Sequence, residues 1–68
     1  MRASKKRSLI LEAAIRRFSH FGLAKTTMAE IAQDLSFSKA LLYYYYPDKH
    51  SLYTAALSHV IEQTMGDF

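Results

Sequence analysis

Residues 26–49, TTMAEIAQDLSFSKALLYYYYPDK, read as a short capped helix, a three-residue turn, a second short helix and a stop. Thr27-Met28-Ala29-Glu30 has the spacing of a capping box, in which the Thr27 hydroxyl accepts from the Glu30 N–H and the Glu30 carboxylate accepts from the Thr27 N–H. Ile31 and Leu35, four apart, share one helix face. Ser36-Phe37-Ser38 breaks that pattern, and Ser38 is suited to cap a new helix through Lys39-Ala40-Leu41-Leu42 and four consecutive tyrosines. Pro47 has no N–H to donate and drives Tyr46 out of helical backbone, so the second helix ends there. Two short helices across a tight turn make a helix-turn-helix, a motif whose second helix enters the major groove of DNA.

Working outward, residues 1–4 read as a loose basic lead-in, and a first helix runs from about Lys5 to Phe21. Ile10, Ala13, Ala14, Phe18 and Phe21 recur at three- and four-residue steps as its core face, with Lys6, Glu12, Arg16, Ser19 and His20 largely opposite. Gly22 is the left-handed stop expected after such a helix. Beyond Pro47, Asp48 can cap a fourth helix from Lys49 to roughly Thr64. Leu52, Ala56 and Val60 form an apolar row on it, widened by Tyr53, Leu57 and Ile61. That stripe is wider than three short neighbours can cover. The expected organisation is all-α: a three-helix bundle with a helix-turn-helix over residues 1–47, homeodomain-like, and a linker helix over 48–68. The last helix is expected to pack on a further, C-terminal part of a longer protein.

A chain of 68 residues makes one small domain, and half of its residues are apolar or aromatic, enough for a core and too many for a disordered tail. It has no cysteine, which excludes a disulfide framework and a Cys/His zinc site; His20, His50 and His59 stand too far apart to suggest a ligand set. No metal or cofactor is called for. The net charge of +3 is unevenly spread. Residues 1–25 carry Arg2, Lys5, Lys6, Arg7, Arg16, Arg17 and Lys25 against Glu12 alone, a net +6, whereas residues 26–68 carry a net −3. A basic end on a weakly acidic remainder suits a polyanion met by one face or an arm. The basic N-terminus has no apolar core long enough for a secretory signal, because Glu12, Arg16 and Arg17 follow too soon. No stretch approaches the roughly 20 apolar residues that span a bilayer; a cytoplasmic protein is expected.

The candidate contacts follow from helix geometry and side-chain chemistry. Helix N-termini present free N–H groups and partial positive charge to phosphate. Thr27 adds a hydroxyl at one such terminus, and Lys49 lies in the first turn of the fourth helix, where a cation opposes the dipole unless an anion belongs there. Successive residues turn by about 100°, so Tyr43, Tyr44, Tyr45 and Tyr46 cannot share a face. Tyr46, four after Leu42, is expected in the core. Tyr43, Tyr44 and Tyr45, too many to bury together in so small a domain, are expected at the groove, where a tyrosine hydroxyl can donate to phosphate. Lys39 is the one strong donor on this helix, toward guanine or phosphate, while Ala40 and Leu41 can meet thymine methyl groups. The basic arm, from Arg2 through Lys5, Lys6 and Arg7, can follow the backbone or reach a minor groove.

From Ile10 to Tyr53 the chain resembles, without a gap, the DNA-binding domain of TetR-type transcriptional regulators. The shared pattern is Ile10-Leu11-x-Ala13-Ala14, Phe18, Gly22, Thr26-Thr27, Ile31-Ala32, Ser38-Lys39, Leu42-Tyr43, an aromatic at 46, Lys49 and Leu52-Tyr53. It covers about two thirds of the chain. The resemblance implies a homodimeric regulator of promoters, usually a repressor, with a helical C-terminal domain that dimerises and binds a small-molecule effector. It also implies DNA contacts at Thr27, Ser38, Lys39, Ala40, Tyr43, Tyr44, Tyr45 and Lys49. Three residues depart from the family pattern. Ser36 stands where a turn glycine is common, Ala40 replaces a frequent glycine, and Arg17 replaces a usual apolar residue, which should leave that edge of the first helix more exposed.

A second reading is a small helical protein-interaction module, with the tyrosines and the fourth-helix stripe forming one partner surface. Location discriminates: such a module pools its apolar surface, whereas here the tyrosines sit with Lys39 and Lys49, away from the stripe. An enzyme is not expected, since no histidine neighbours a plausible nucleophile and no Gly-rich phosphate loop occurs.

Overall fold

A computed structural model describes residues 4–66, and the side chains of 5–65. Four α-helices follow in order: α1 (Ser4–Phe21), α2 (Met28–Leu35), α3 (Lys39–Tyr45) and α4 (Lys49–Gly66). There is no strand among the described residues. The all-α, helix-turn-helix architecture is therefore the observed one. Helix α1 is the spine, packing against both α2 and α4, and α2 in turn packs against α3.

The core face of α1 is built from Ile10, Leu11, Ala13 and Ala14, all buried. Against it lie Met28, Ile31 and Ala32 of α2, Leu42 of α3, and Leu52 and Ala56 of α4. Small alanines at the contact positions let the helices approach closely, and Ile31, Leu42 and Leu52, at 0% exposure, fill the centre. Phe21 departs from the expected core face. It is 53% exposed, at the last turn of α1 beyond the reach of the other helices, and the Arg17 guanidinium lies 5.3 Å from its ring centroid.

The helix boundaries have local causes. Gly22 takes φ 85° and donates to the Phe18 carbonyl at 2.9 Å, ending α1. At α2 both halves of the capping box form: the Glu30 N–H donates to Thr27 Oγ1 at 3.1 Å and the Thr27 N–H to Glu30 Oε1 at 3.0 Å. Ser36, at φ 58° and ψ 34°, takes the left-handed stop in place of glycine. The Phe37 N–H reaches the Ala32 carbonyl at 2.9 Å and the Ser36 N–H the Gln33 carbonyl at 3.1 Å, the two bonds of a Schellman motif. Ser38 Oγ accepts from the Leu41 N–H at 3.0 Å to open α3, and extended backbone at Tyr46 closes it before Pro47. Asp48 Oδ1 accepts from the Ser51 N–H at 2.7 Å to open α4.

Two further features of α1 differ from the sequence expectation. The helix begins at Ser4, so Lys5, Lys6 and Arg7 are not an extended arm but its exposed first turns; Arg2 lies outside the described residues. Arg17, expected to leave an open edge, is instead half-buried and tied to α2. Its Nε donates to Asp34 Oδ2 at 2.7 Å and its Nη2 to Asp34 Oδ1 at 3.0 Å, a bidentate pair. A third nitrogen stands 3.9 Å from Glu30. The Arg17 bond holds the Asp34 carboxyl below its ordinary range.

Candidate nucleic-acid interface

Helix α3 has seven residues and an uneven surface. Leu42 is buried, Leu41, Tyr45 and Tyr46 are half-buried, and Ser38, Lys39, Ala40, Tyr43 and Tyr44 are exposed. Lys39 and Tyr43 are four apart, as are Ala40 and Tyr44, so these four side chains share one outward strip. Tyr43 is 44% exposed and Tyr44 81%. Tyr46 packs against the core as expected, and burial raises its hydroxyl pKa above the usual 10.0. Tyr45, expected alongside Tyr43 and Tyr44, is half-buried and also packs against the core. Its ring meets Tyr44 edge-on, with centroids 5.3 Å apart.

Thr27 and Lys49, distant in sequence, come to one place. Lys49 Nζ donates to the Thr26 carbonyl at 2.8 Å, so the first turn of α4 is tied to the segment that leads into α2. An ammonium has three donors, and this bond uses one of them. The Thr27 hydroxyl accepts the cap bond, which leaves its own proton to donate. Glu30 brings negative charge beside it, offset by Arg17 at 3.9 Å.

Thr26 was not visible as a structural residue from its pattern. It is fully buried, and its hydroxyl donates to the Gly22 carbonyl at 2.8 Å. The connection between α1 and α2 is thus pinned from inside by the Thr26 hydroxyl and from outside by Lys49. A residue set against the start of a helix-turn-helix by two such bonds fixes the height of α2, and through α2 that of α3. The cue in the sequence was the Thr26-Thr27 pair, of which only the second has the cap spacing.

Away from this face, Ile15, Phe18, Tyr53, Ala56, Leu57 and Val60 line an apolar groove between α1 and α4. Among the described residues no cluster of His, Cys, Asp or Glu could hold a metal, and no helix is long and apolar enough to cross a membrane.

The chain also has clear relatives. The family model for "Bacterial regulatory proteins, tetR family" matches residues 10–56. The HTH-type transcriptional regulator RutR of Escherichia coli K12 is 41% identical over 59 residues, 87% of this chain and 28% of that protein. The uncharacterized HTH-type transcriptional regulator YuxN of Bacillus subtilis 168 is 34% identical over 59 residues, 87% of this chain and 20% of that protein. The HTH-type transcriptional regulator BetI of Burkholderia thailandensis is 32% identical over 56 residues, 82% of this chain and 29% of that protein. The chain spans less than a third of each of these relatives. No solved structure matches it significantly. With the family's pattern running from α1 into α4, and the helix-turn-helix formed as that pattern requires, the chain belongs to the tetR family of bacterial regulatory proteins.

Proposed function

We propose that this chain is the operator-reading head of a transcriptional repressor, with α3 seated in the major groove. The observation that carries the reading is the outward strip of α3, where Lys39 and Ala40 stand beside Tyr43 and Tyr44 and all four are exposed. Ser38 and Lys39 lead the helix into the groove, Lys39 donates to a guanine edge, and Ala40 and Leu41 approach base methyl groups. Thr27 and Lys49 hold phosphate on the flank, and Tyr43 and Tyr44 donate to backbone oxygens. The exposed first turns of α1, with Lys5, Lys6 and Arg7, add positive potential toward the same polyanion.

The uncovered apolar stripe of α4 supports a division at about residue 47, with residues 48–68 linking the head to a C-terminal domain. In the whole protein that domain pairs two copies and binds a small-molecule effector. The effector acts by changing the spacing of two heads that must meet half-sites about one helical turn apart. The protein-interaction alternative would pool apolar surface with the tyrosines, yet Leu57, Val60, Ile61 and Met65 are exposed on α4, away from α3.

The test is an amide NMR titration of the isotope-labelled chain with a random-sequence duplex at low and moderate salt. Shifts confined to Thr27, Ser38–Tyr45, Lys49 and the first turns of α1, fading as salt rises, are expected. No shifts at low salt, or shifts centred on Leu52–Ile61, would overturn the reading. Lys49→Ala should then weaken binding to every sequence and reduce the salt slope by about one. Lys39→Ala should instead cost discrimination at one base position more than overall affinity.

A further inference from the structure

Arg7 stands on the second turn of α1, and its guanidinium carbon lies 5.6 Å from the centroid of the Tyr45 ring. Tyr45 is the last residue of α3, half-buried and packed against the core. It also meets Tyr44 edge-on at 85°. Arg7 of α1 and Tyr44 of α3 thus both contact the one half-buried ring. Among the described residues neither ion pair involves Arg7. Attraction to a ring face uses no hydrogen-bond acceptor, so the N–H groups of the guanidinium stay available for a bidentate partner. A flexible, exposed arginine has thereby been given a preferred direction without its donors being spent.

That direction matters because of where Tyr45 lies. Seven residues of helix extend about 10 Å, close to the roughly 12 Å width of a major groove. A recognition helix meets base edges with its N-terminal residues, so the Tyr45 end of α3 comes to the groove's rim, where the acceptors are phosphate oxygens.

We propose that Arg7 is a phosphate-binding residue and that Tyr45 is its positioning residue, acting through the face of its ring and making no DNA contact of its own. This rests on the major-groove reading above. It narrows the general positive potential of α1's first turns to one defined contact, and it fixes the chemistry of the partner group as a backbone phosphodiester. The same half-buried ring also meets Tyr44 edge-on.

The experiment is the salt dependence of affinity of the 68-residue chain for a random-sequence duplex, by fluorescence anisotropy. Arg7→Ala is expected to lower the magnitude of the log–log slope by about 0.9. Tyr45→Leu, which keeps the packing apolar and removes the ring, should do the same, and the double variant no more than either alone. Tyr45→Phe should keep the wild-type slope and affinity, since only the ring is required. In the free protein the Arg7 side-chain protons should show an upfield ring-current shift that Tyr45→Phe retains and Tyr45→Leu abolishes. Wild-type slopes in both Arg7→Ala and Tyr45→Leu would overturn the proposal while leaving the groove reading standing. So would a loss in Tyr45→Phe equal to that in Tyr45→Leu, because the hydroxyl would then be a contact. If Tyr45→Leu does not fold, Arg7→Ala, Tyr45→Phe and the ring-current shift decide the matter. No salt-sensitive binding by the wild type would remove the groove reading itself, and this proposal with it.

Discussion

Helix α3 has seven residues and α4 has eighteen; the shorter one is secured along its whole length, the longer one mainly near its start. Isolated helices below about 12–15 residues are marginal in water, so α3 holds its shape through its surroundings. Ser38 caps its start, the Tyr46 N–H closes its end on the Leu42 carbonyl at 3.0 Å, Leu42 is fully buried, and Tyr45 and Tyr46 pack on the core. Helix α4 is anchored mainly through its first half, by Asp48, Lys49, Leu52 and Ala56, with the Tyr53 ring edge-on to Phe18 of α1. Past that, Leu57, Val60, Ile61 and Met65 are exposed, and His59 Nε2 is buried without a hydrogen-bond partner among the described residues. The domain concentrates its specifying interactions where a short helix must be presented at one height and angle. The long helix needs fewer because its own backbone bonds sustain it.

The sharpest way to break that contrast is to truncate one leucine on each helix. Leu42→Ala removes a side chain at 0% exposure that joins α3 to α1 and α2, and should cost about 2–5 kcal/mol. A domain of this size has little more than about 3–5 kcal/mol in reserve, so the chain should be largely unfolded at room temperature. Leu57→Ala, at 47% exposure, should change stability by no more than about 0.5 kcal/mol. Urea unfolding followed by circular dichroism measures both. Comparable losses would mean that the distal half of α4 is as integrated as α3.

Next in size are the caps. Thr27→Ala deletes the acceptor for the Glu30 N–H and half of the capping box, and should cost about 1 kcal/mol. Ser38→Ala should cost a similar amount, but with a more local result: α3 is so short that losing its cap should raise amide exchange through Tyr45 before it changes the global transition. Uniform exchange across all four helices in Ser38→Ala would show that α3 cannot loosen independently.

These caps are also what the sequence displayed most clearly. Thr27 with Glu30, Ser38, Gly22 and Pro47 act within a few residues of themselves, and each boundary falls where local chemistry puts it. On the core face of α1 the period located Ile10, Ala13 and Ala14, with Phe18 half-buried; it did not place Leu11, which is buried, and it continued to Phe21, which is 53% exposed. The contacts that set the helices against each other were not legible. Arg17 with Asp34 spans seventeen residues and Lys49 with Thr26 twenty-three. Arg7 over Tyr45 likewise depends on crossing angles that no local pattern encodes. Tyr45 shows the limit for the candidate site: spacing grouped it with Tyr43 and Tyr44, whereas it lies half-buried against the core with Arg7 of α1 over its ring.

Smaller still is the effect of the turn itself. Ser36 holds φ 58°, a region that costs a non-glycine residue roughly 1 kcal/mol, so Ser36→Gly should relieve that strain. Glycine also has more freedom to lose on folding, which returns part of the gain. The net should be a stabilisation below about 1 kcal/mol, seen as a slightly higher melting temperature. Its effect should be confined to the α2–α3 unit, with exchange in the distal half of α4 unchanged. A loss of stability would mean that the Ser36 side chain contributes more than the backbone term.

The subtlest difference between the two regions should appear in acid. Asp34 ties α2 to α1 through Arg17, and Asp48 caps α4 through the Ser51 N–H; both carboxyls are held below the ordinary value of 3.8. A carboxyl whose folded pKa is depressed contributes stability that is fully present above its unfolded value and lost as pH falls through the folded one. For both groups that window lies below 3.8. The Asp34 contribution is an inter-helix tie and the Asp48 contribution a local cap, so acid should weaken α1–α2 packing and the start of α4 as separate events. Asp34→Asn should flatten the loss of melting temperature between about pH 6 and pH 2.5 and leave Asp48 titrating as in the wild type. Asp48→Asn should remove the Asp48 part of that loss while costing little stability near neutral pH, because asparagine can still accept at a helix N-cap. If the two variants lose melting temperature along the same curve as the wild type, neither carboxylate is coupled to folding, and the tie between α1 and α2 is carried by apolar packing alone.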